Sequence, residues 1–143
     1  GYRAKTILNT ARTLINGYID EKELLNMKPL EIERTLRKIK GVGPYTARLA
    51  IALFSRKYEL PPVDNWLKKI VGIVYSIDES LVENYWIEKW GKWSALAAIA
   101  TTIALDAEPL SKAVARIRNR QLLPVINQAP TPLNMIGFCP HHT

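Results

Sequence analysis

Cysteine is almost missing from this chain. Cys139 is the only one, so no disulfide can close within it, and a reducing, intracellular compartment is the expected setting. Histidine is nearly as scarce. The two present, His141 and His142, stand together at the C-terminus. No Ser/His/Asp set can therefore be drawn from the body of the chain, and the string Cys139, His141, His142 needs at least one more ligand to hold a metal. It is read as incidental, and no metal is expected. No charge-free run approaches the ~20 residues that cross a bilayer, and no signal peptide is visible, so no membrane partner is expected. Alternating apolar and polar residues are absent over any strand-length window, and no internal repeat stands out. The chain opens on Gly1, which leaves its natural start open.

What is present suits one domain, or part of one. The chain has 143 residues, 48% of them hydrophobic, enough to bury a core without staples. The net charge is +7. That balance fits a polyanionic partner, nucleic acid ahead of an acidic membrane surface.

Helical signals run through most of the length, and an all-α bundle is the expected fold. Over residues 4–16, Ala4, Ile7, Leu8, Ala11, Leu14 and Ile15 share one stripe, and Gly17 stops the run. Asp20 with Glu23 makes a capping-box pattern. Pro29 suits a first helical position, and Leu30, Glu33, Leu36 and Ile39 follow helical spacing with Glu33 as the weak point. Pro44 opens a helix with Ala47, Ala50, Ile51 and Phe54 on its apolar face. Leu60-Pro61-Pro62-Val63 breaks it, and Asp64 opens the next, with Leu67, Ile70, Val71 and Val74 inward. Asp78 is expected to cap a helix running to Trp90 and ended by Gly91. Residues 93–105 carry no formal charge and read as a buried helix. Pro109 begins a last basic helix through Arg120. The expected division is a helical domain over 1–122 and an irregular, proline-rich tail over 123–143.

One stretch stands apart: Lys40-Gly41-Val42-Gly43-Pro44-Tyr45-Thr46-Ala47. Two helices meet at Gly-Val-Gly, where glycine permits a tight turn. Val42 is expected to plug back into the core. The amides near Gly41, Gly43 and Tyr45 can cradle a phosphate, aided by the dipole of the helix that Pro44 opens. Lys38, Lys40 and Arg48 would add charge beside it. A plain helix-helix corner is the alternative reading.

The pattern L-x-x-I-K-G-V-G-P-Y-T-A resembles the helix-hairpin-helix signature of the DNA base-excision glycosylases. In that superfamily an essential aspartate follows after one helix and a loop, and Pro61-Pro62-Val63-Asp64 ends in the corresponding place. The opening Gly1-Tyr2-Arg3-Ala4 is similar to a segment of the 8-oxoguanine glycosylases, in which the tyrosine wedges into the duplex and the arginine contacts the base left without a partner. Trp90-Gly91-Lys92-Trp93-Ser94 resembles a segment of both the 8-oxoguanine and the 3-methyladenine enzymes, with Ser94 where the latter often have arginine. The resemblance covers roughly residues 1–105. It implies a DNA-repair enzyme acting on duplex DNA that holds a damaged base, intracellular and DNA-associated. Residues 40–43, 45 and 46 (Lys40, Gly41, Val42, Gly43, Tyr45, Thr46) with Tyr2 and Arg3 would touch DNA.

Two departures shape the expected activity. Bifunctional members carry a lysine two positions after the second hairpin glycine, and this chain has Tyr45. Tyrosine forms no Schiff base, so a monofunctional glycosylase is expected, with alkylated purines favoured and oxidised guanine second. Some branches hold an iron–sulfur cluster on four cysteines; one cysteine excludes it, and no cofactor is expected beyond a monovalent cation that the resemblance implies at the hairpin carbonyls. The family's helices before Gly-Tyr-Arg are missing, which leaves three readings: a fragment, a reduced version, or another chain that supplies the second wall of the cleft.

The chemistry required of Asp64 follows from the bond to be broken. Cleaving a base–sugar bond leaves positive charge on the deoxyribose, and a nearby carboxylate stabilises it and orients water. The ordinary role of such a residue is a helix N-cap worth ~1 kcal/mol; both roles are compatible. Tyr45 is the expected stacking partner of the flipped base, with Trp66 and Trp93 next. Lys68 and Lys69, and Lys112, Arg116 and Arg120 on the last helix, are lesser candidates for phosphate contact. The competing class is a non-catalytic helix-hairpin-helix module that only grips DNA.

Overall fold

The computed structural model describes residues 2–105 and 109–119. Among these the chain forms eight α-helices and no strand: α1 (Tyr2–Ile15), α2 (Glu21–Asn26), α3 (Pro29–Leu36), α4 (Pro44–Ala50), α5 (Asn65–Tyr75), α6 (Val82–Trp90), α7 (Ser94–Ala104) and α8 (Leu110–Arg118). A π-helical turn, Ile51–Ser55, extends α4, and a 3-10 turn, Gly91–Trp93, leads into α7. The fold is all-α, as expected. No helix among the described residues is long and apolar enough to cross a membrane. The expected tail over 123–143, Arg120, and the Cys139–His142 string lie outside the described residues.

Local chemistry sets most of the boundaries. Gly17, at φ +69°, ends α1. The Asp20 carboxylate accepts from the N–H groups of Lys22 and Glu23 and starts α2. Pro29 opens α3, and the Glu31 side chain accepts from Lys28 N at 2.9 Å. Asp78 differs from expectation. Its carboxylate accepts from Ser80 N at 2.8 Å and forms a turn, and α6 begins only at Val82.

Three buried clusters hold the helices together. Ile19, Leu24, Ile32, Ile39 and Ile51 join α2, α3 and the π turn. Leu67, Val71, Val82, Trp86 and Ala98 join α5, α6 and α7. Ile70, Leu105 and Ala113 seat α8 against α5. Helix α7 is buried on one face only: Ser94, Ala95 and Ala98 point in, while Leu96 and Ile103 are exposed. The expectation of a buried helix therefore holds for one face of it.

Arg48 crosses between the first two clusters. Its Nε bonds Glu33 Oε2 at 3.2 Å, and its Nη1 lies 2.8 Å from Glu83 Oε1 and donates to the Pro61 carbonyl at 3.3 Å. Burial alone would lower the guanidinium pKa, but Glu83 and Glu33 outweigh it and hold the pKa raised. Glu33, the weak point of the α3 pattern, is buried because Arg48 meets it there.

Helix α1 packs in an unexpected sense. Its half-buried side is Thr6, Asn9, Thr10 and Thr13, while Ile7 (68% exposed), Leu8 and Ile15 (83% exposed) face outward. The Thr10 and Thr13 hydroxyls donate one turn back to Thr6 O and Asn9 O, at 2.9 and 2.8 Å. Internal satisfaction of these groups lets a polar face approach the protein without orphaned donors.

Candidate nucleic-acid interface and catalytic carboxylate

The turn between α3 and α4 uses its two glycines differently. Gly41 sits at φ +98°, open in practice to glycine, and a Cβ there would lie 2.1 Å from Thr6 Oγ1. This glycine lets α1 rest on the hairpin. Gly43 has an ordinary φ of −89° and caps α4, and a Cβ there would meet nothing within 4 Å. Val42 packs against the first core cluster, as expected. The turn's internal backbone bonds run from Val42 N to Ile39 O and from Ala47 N to Gly43 O, both 3.0 Å. Neither of those bonds uses the N–H of Gly41, Gly43 or Tyr45. Lys38, Lys40 and Thr46 are exposed around the turn.

Arg48 does not join them. Its side chain is only 15% exposed and is committed to Glu33, Glu83 and the Pro61 carbonyl. The expectation that it adds charge beside a bound phosphate is corrected: it organises the interior.

Asp64 caps α5, with Oδ1 accepting from Leu67 N at 2.8 Å. It is nevertheless exposed, and the cap occupies one oxygen of two. The approach to it is held at several points. Pro61 and Pro62 are buried, and Val63 N donates to Pro61 O at 3.0 Å. Arg48 holds the Pro61 carbonyl. Upstream, Ser94 Oγ lies 3.1 Å from Tyr58 O and 2.9 Å from Glu59 O, and Ala95 N donates to Tyr58 O at 2.8 Å. Sequence reasoning gave Ser94 no such role. The available signal was a hydroxyl at the head of an uncharged, largely apolar run.

Tyr45, on the first turn of α4, is 38% exposed. Burial raises its phenol pKa, and the charge of Asp64 raises it further. The hydroxyl therefore stays protonated at neutral pH.

The other expected residues divide. Tyr2 and Arg3 form the first turn of α1. Thr6, the residue against Gly41, follows Tyr2 by four positions, a rise of about 6 Å, so the start of α1 lies close to the hairpin. Trp66 is half-buried and packs against both the second and the third core cluster. Trp93 stacks on Tyr58, with ring centroids 5.9 Å apart, and lines an apolar cavity of about 380 Å³ with Tyr75, Trp86, Trp90 and Leu96. Neither Tyr45, Trp66 nor Asp64 lines that cavity. Lys68 is half-buried and Lys69 exposed on α5, while Lys112 is exposed and Arg116 half-buried on α8.

Comparison with known proteins follows the same lines. No family model matches the chain. A DNA-3-methyladenine glycosylase of Bacillus subtilis (strain 168) is 29% identical over 75 residues, which is 52% of this chain and 23% of that protein. A solved structure, that of MBOgg1 in complex with a low-affinity DNA ligand, superposes with a TM-score of 0.64 at 32% identity. That alignment covers 68% of this chain and 35% of the other. The chain thus spans about a third or less of the length of each relative.

Proposed function

We propose that this chain, which belongs to the helix-hairpin-helix DNA glycosylase superfamily, grips duplex DNA by its backbone, receives a flipped damaged purine and hydrolyses its N-glycosidic bond. The observation that carries the reading is an exposed carboxylate, Asp64, with only one oxygen taken by its helix cap, in a chain that also presents the half-exposed ring of Tyr45 beside the hairpin glycines.

The steps follow from the residues. A phosphate sits against the amides of Gly41, Gly43 and Tyr45, with Lys40 and Thr46 beside it, which fixes one strand without reading its sequence. Tyr2 enters the gap left by the flipped nucleotide, and Arg3 contacts the orphaned base. Flipping costs a few kcal/mol, least for a damaged or mispaired base. The extruded purine stacks on Tyr45. As the bond from C1′ to the base nitrogen lengthens, its electron pair leaves with the base and positive charge grows on the sugar. The Asp64 carboxylate stabilises that charge. Water adds its oxygen to C1′, and its proton ends on the departing base. An abasic site remains.

Tyr45 stands where bifunctional members carry lysine, so no imine forms with the sugar and the strand is not cut by β-elimination. Electron-poor alkylated purines suit an aromatic platform and are the favoured substrates. The Gly-Tyr-Arg opening and the likeness to MBOgg1 support oxidised guanine as the second class. Such an enzyme works where the DNA is, inside the cell.

The test is base release from defined duplexes carrying 3-methyladenine, 1-methyladenine or 8-oxoguanine opposite cytosine. Release from an alkylated duplex, lost in Asp64→Asn while DNA affinity holds, is the expected result. A chain that binds all three duplexes and frees no base is a gripping module instead.

A further inference from the structure

We infer that the groove between α1 and the hairpin turn is a second seat for the DNA backbone, beside the one formed by the turn amides. This rests on the DNA-binding reading above and extends it to residues that reading does not use. The groove encloses about 410 Å³ and is lined by Lys5, Thr6, Leu8, Asn9 and Arg12 of α1 and by Lys40 and Gly41 of the turn. Lys5, Asn9 and Arg12 recur at i, i+4 and i+7, so they share one face of the helix. Lys5 and Arg12 stand about 10 Å apart along the axis. That spans about three nucleotide steps of one strand, at ~3.4 Å of duplex axis each.

Three features point to a polyanion. Three cationic side chains line the groove and no acidic one does. Among the described residues, the ion pairs join Arg37 and Arg48 to Glu33 and Glu83, and involve none of the three. The walls are also fixed. Asn9 Nδ2 donates to Lys40 O at 3.2 Å, and Thr6 lies so close to Gly41 that a Cβ there would meet its hydroxyl. The groove is thus built, and Lys40 and Gly41 belong both to it and to the hairpin, so a strand lying on the turn passes directly into it.

The experiment measures affinity for an undamaged duplex by fluorescence anisotropy between 50 and 200 mM salt, for the native chain, for Lys5→Gln/Arg12→Gln, and for Lys22→Gln/Arg34→Gln. The last pair removes equal charge from exposed positions on α2 and α3. Lys5 and Arg12 are both exposed, and circular dichroism checks that the groove variant folds. Each phosphate contact contributes about 0.9 to the slope of log affinity against log salt. Losing two makes the affinity drop over that fourfold salt range about tenfold smaller than in the native chain, while the α2/α3 variant keeps the native slope. Equal slopes for native chain and groove variant, or an equal loss in the α2/α3 variant, overturn the groove. A native chain with no affinity for duplex DNA overturns the glycosylase reading, and the groove with it.

Discussion

Replacing Arg48 by methionine is the sharpest probe of what holds the loop before Asp64 in place. Arg48 is 15% exposed and Glu33 7%, and the two are 3.2 Å apart. Methionine keeps most of the volume but leaves Glu33 buried without its main partner. Breaking such a pair costs roughly 3–5 kcal/mol. Arg37, 3.7 Å from Glu33 but half-exposed, can offset part of this, so about 3 kcal/mol is expected. At roughly 4 °C per kcal/mol for a domain of this size, the melting midpoint falls by about 12 °C. The double variant Arg48→Met/Glu33→Leu removes the stranded charge as well and should recover most of the loss. Urea denaturation of native chain, single and double variants measures all three. A single variant costing less than about 1 kcal/mol, or a double variant no more stable than the single, refutes the reasoning. DNA binding separates the roles: the double variant should keep the native salt slope, whereas a fall of about one would return Arg48 to the phosphates.

The two hairpin glycines should respond in opposite ways. Gly41→Ala, strained at φ +98° and pressed on Thr6, should destabilise by more than about 1 kcal/mol, seen as a lowered urea midpoint. Gly43→Ala has open space and should leave stability nearly unchanged while weakening duplex binding. Ser94→Ala removes the bond to the Glu59 carbonyl, while Tyr58 O keeps Ala95 N, and should cost about 1 kcal/mol, seen as a lowered urea midpoint; base release should slow further than binding weakens. Burial, with Tyr85 beside it, pushes the Tyr75 phenol up from its ordinary value near 10 to about 12. The neutral phenol is thus favoured by the fold, so this contribution is whole below pH 10 and is lost as pH rises towards 12; alkaline unfolding followed by circular dichroism should be blunted in Tyr75→Phe. Borohydride should fail to trap the native chain on damaged DNA, and efficient trapping would show an amine at work where Tyr45 stands.

The hairpin, its Val42 plug and the Asp64 cap were legible because short-range chemistry dictates them: glycine at a strained turn, proline at a first helical position, aspartate ahead of a helix. The packing of α1 was not. Its apolar stripe is real, yet the surface it meets is a glycine turn that small polar side chains fit, and no period in the sequence reports the partner. Arg48 misled for a similar reason. A cation one turn into the hairpin helix looks available for phosphate until Glu33, 15 residues earlier, and Glu83, 35 residues later, converge on it. Asp78 carried a capping signal that Ser80 uses for a turn. Trp66 and Trp93 are both aromatic and near Asp64 or the Trp-Gly-Lys-Trp match, but only their surroundings tell a residue packed on two cores from one lining a separate cavity.

The most direct measurement compares two duplexes, one with a neutral abasic analogue and one with a cationic pyrrolidine in the same place, which mimics the charge that forms on the sugar. The native chain should bind the cationic duplex at least tenfold more tightly, and Asp64→Asn should lose that preference while keeping its affinity for the neutral one. Equal binding of the two duplexes by the native chain would mean that Asp64 does not face the sugar.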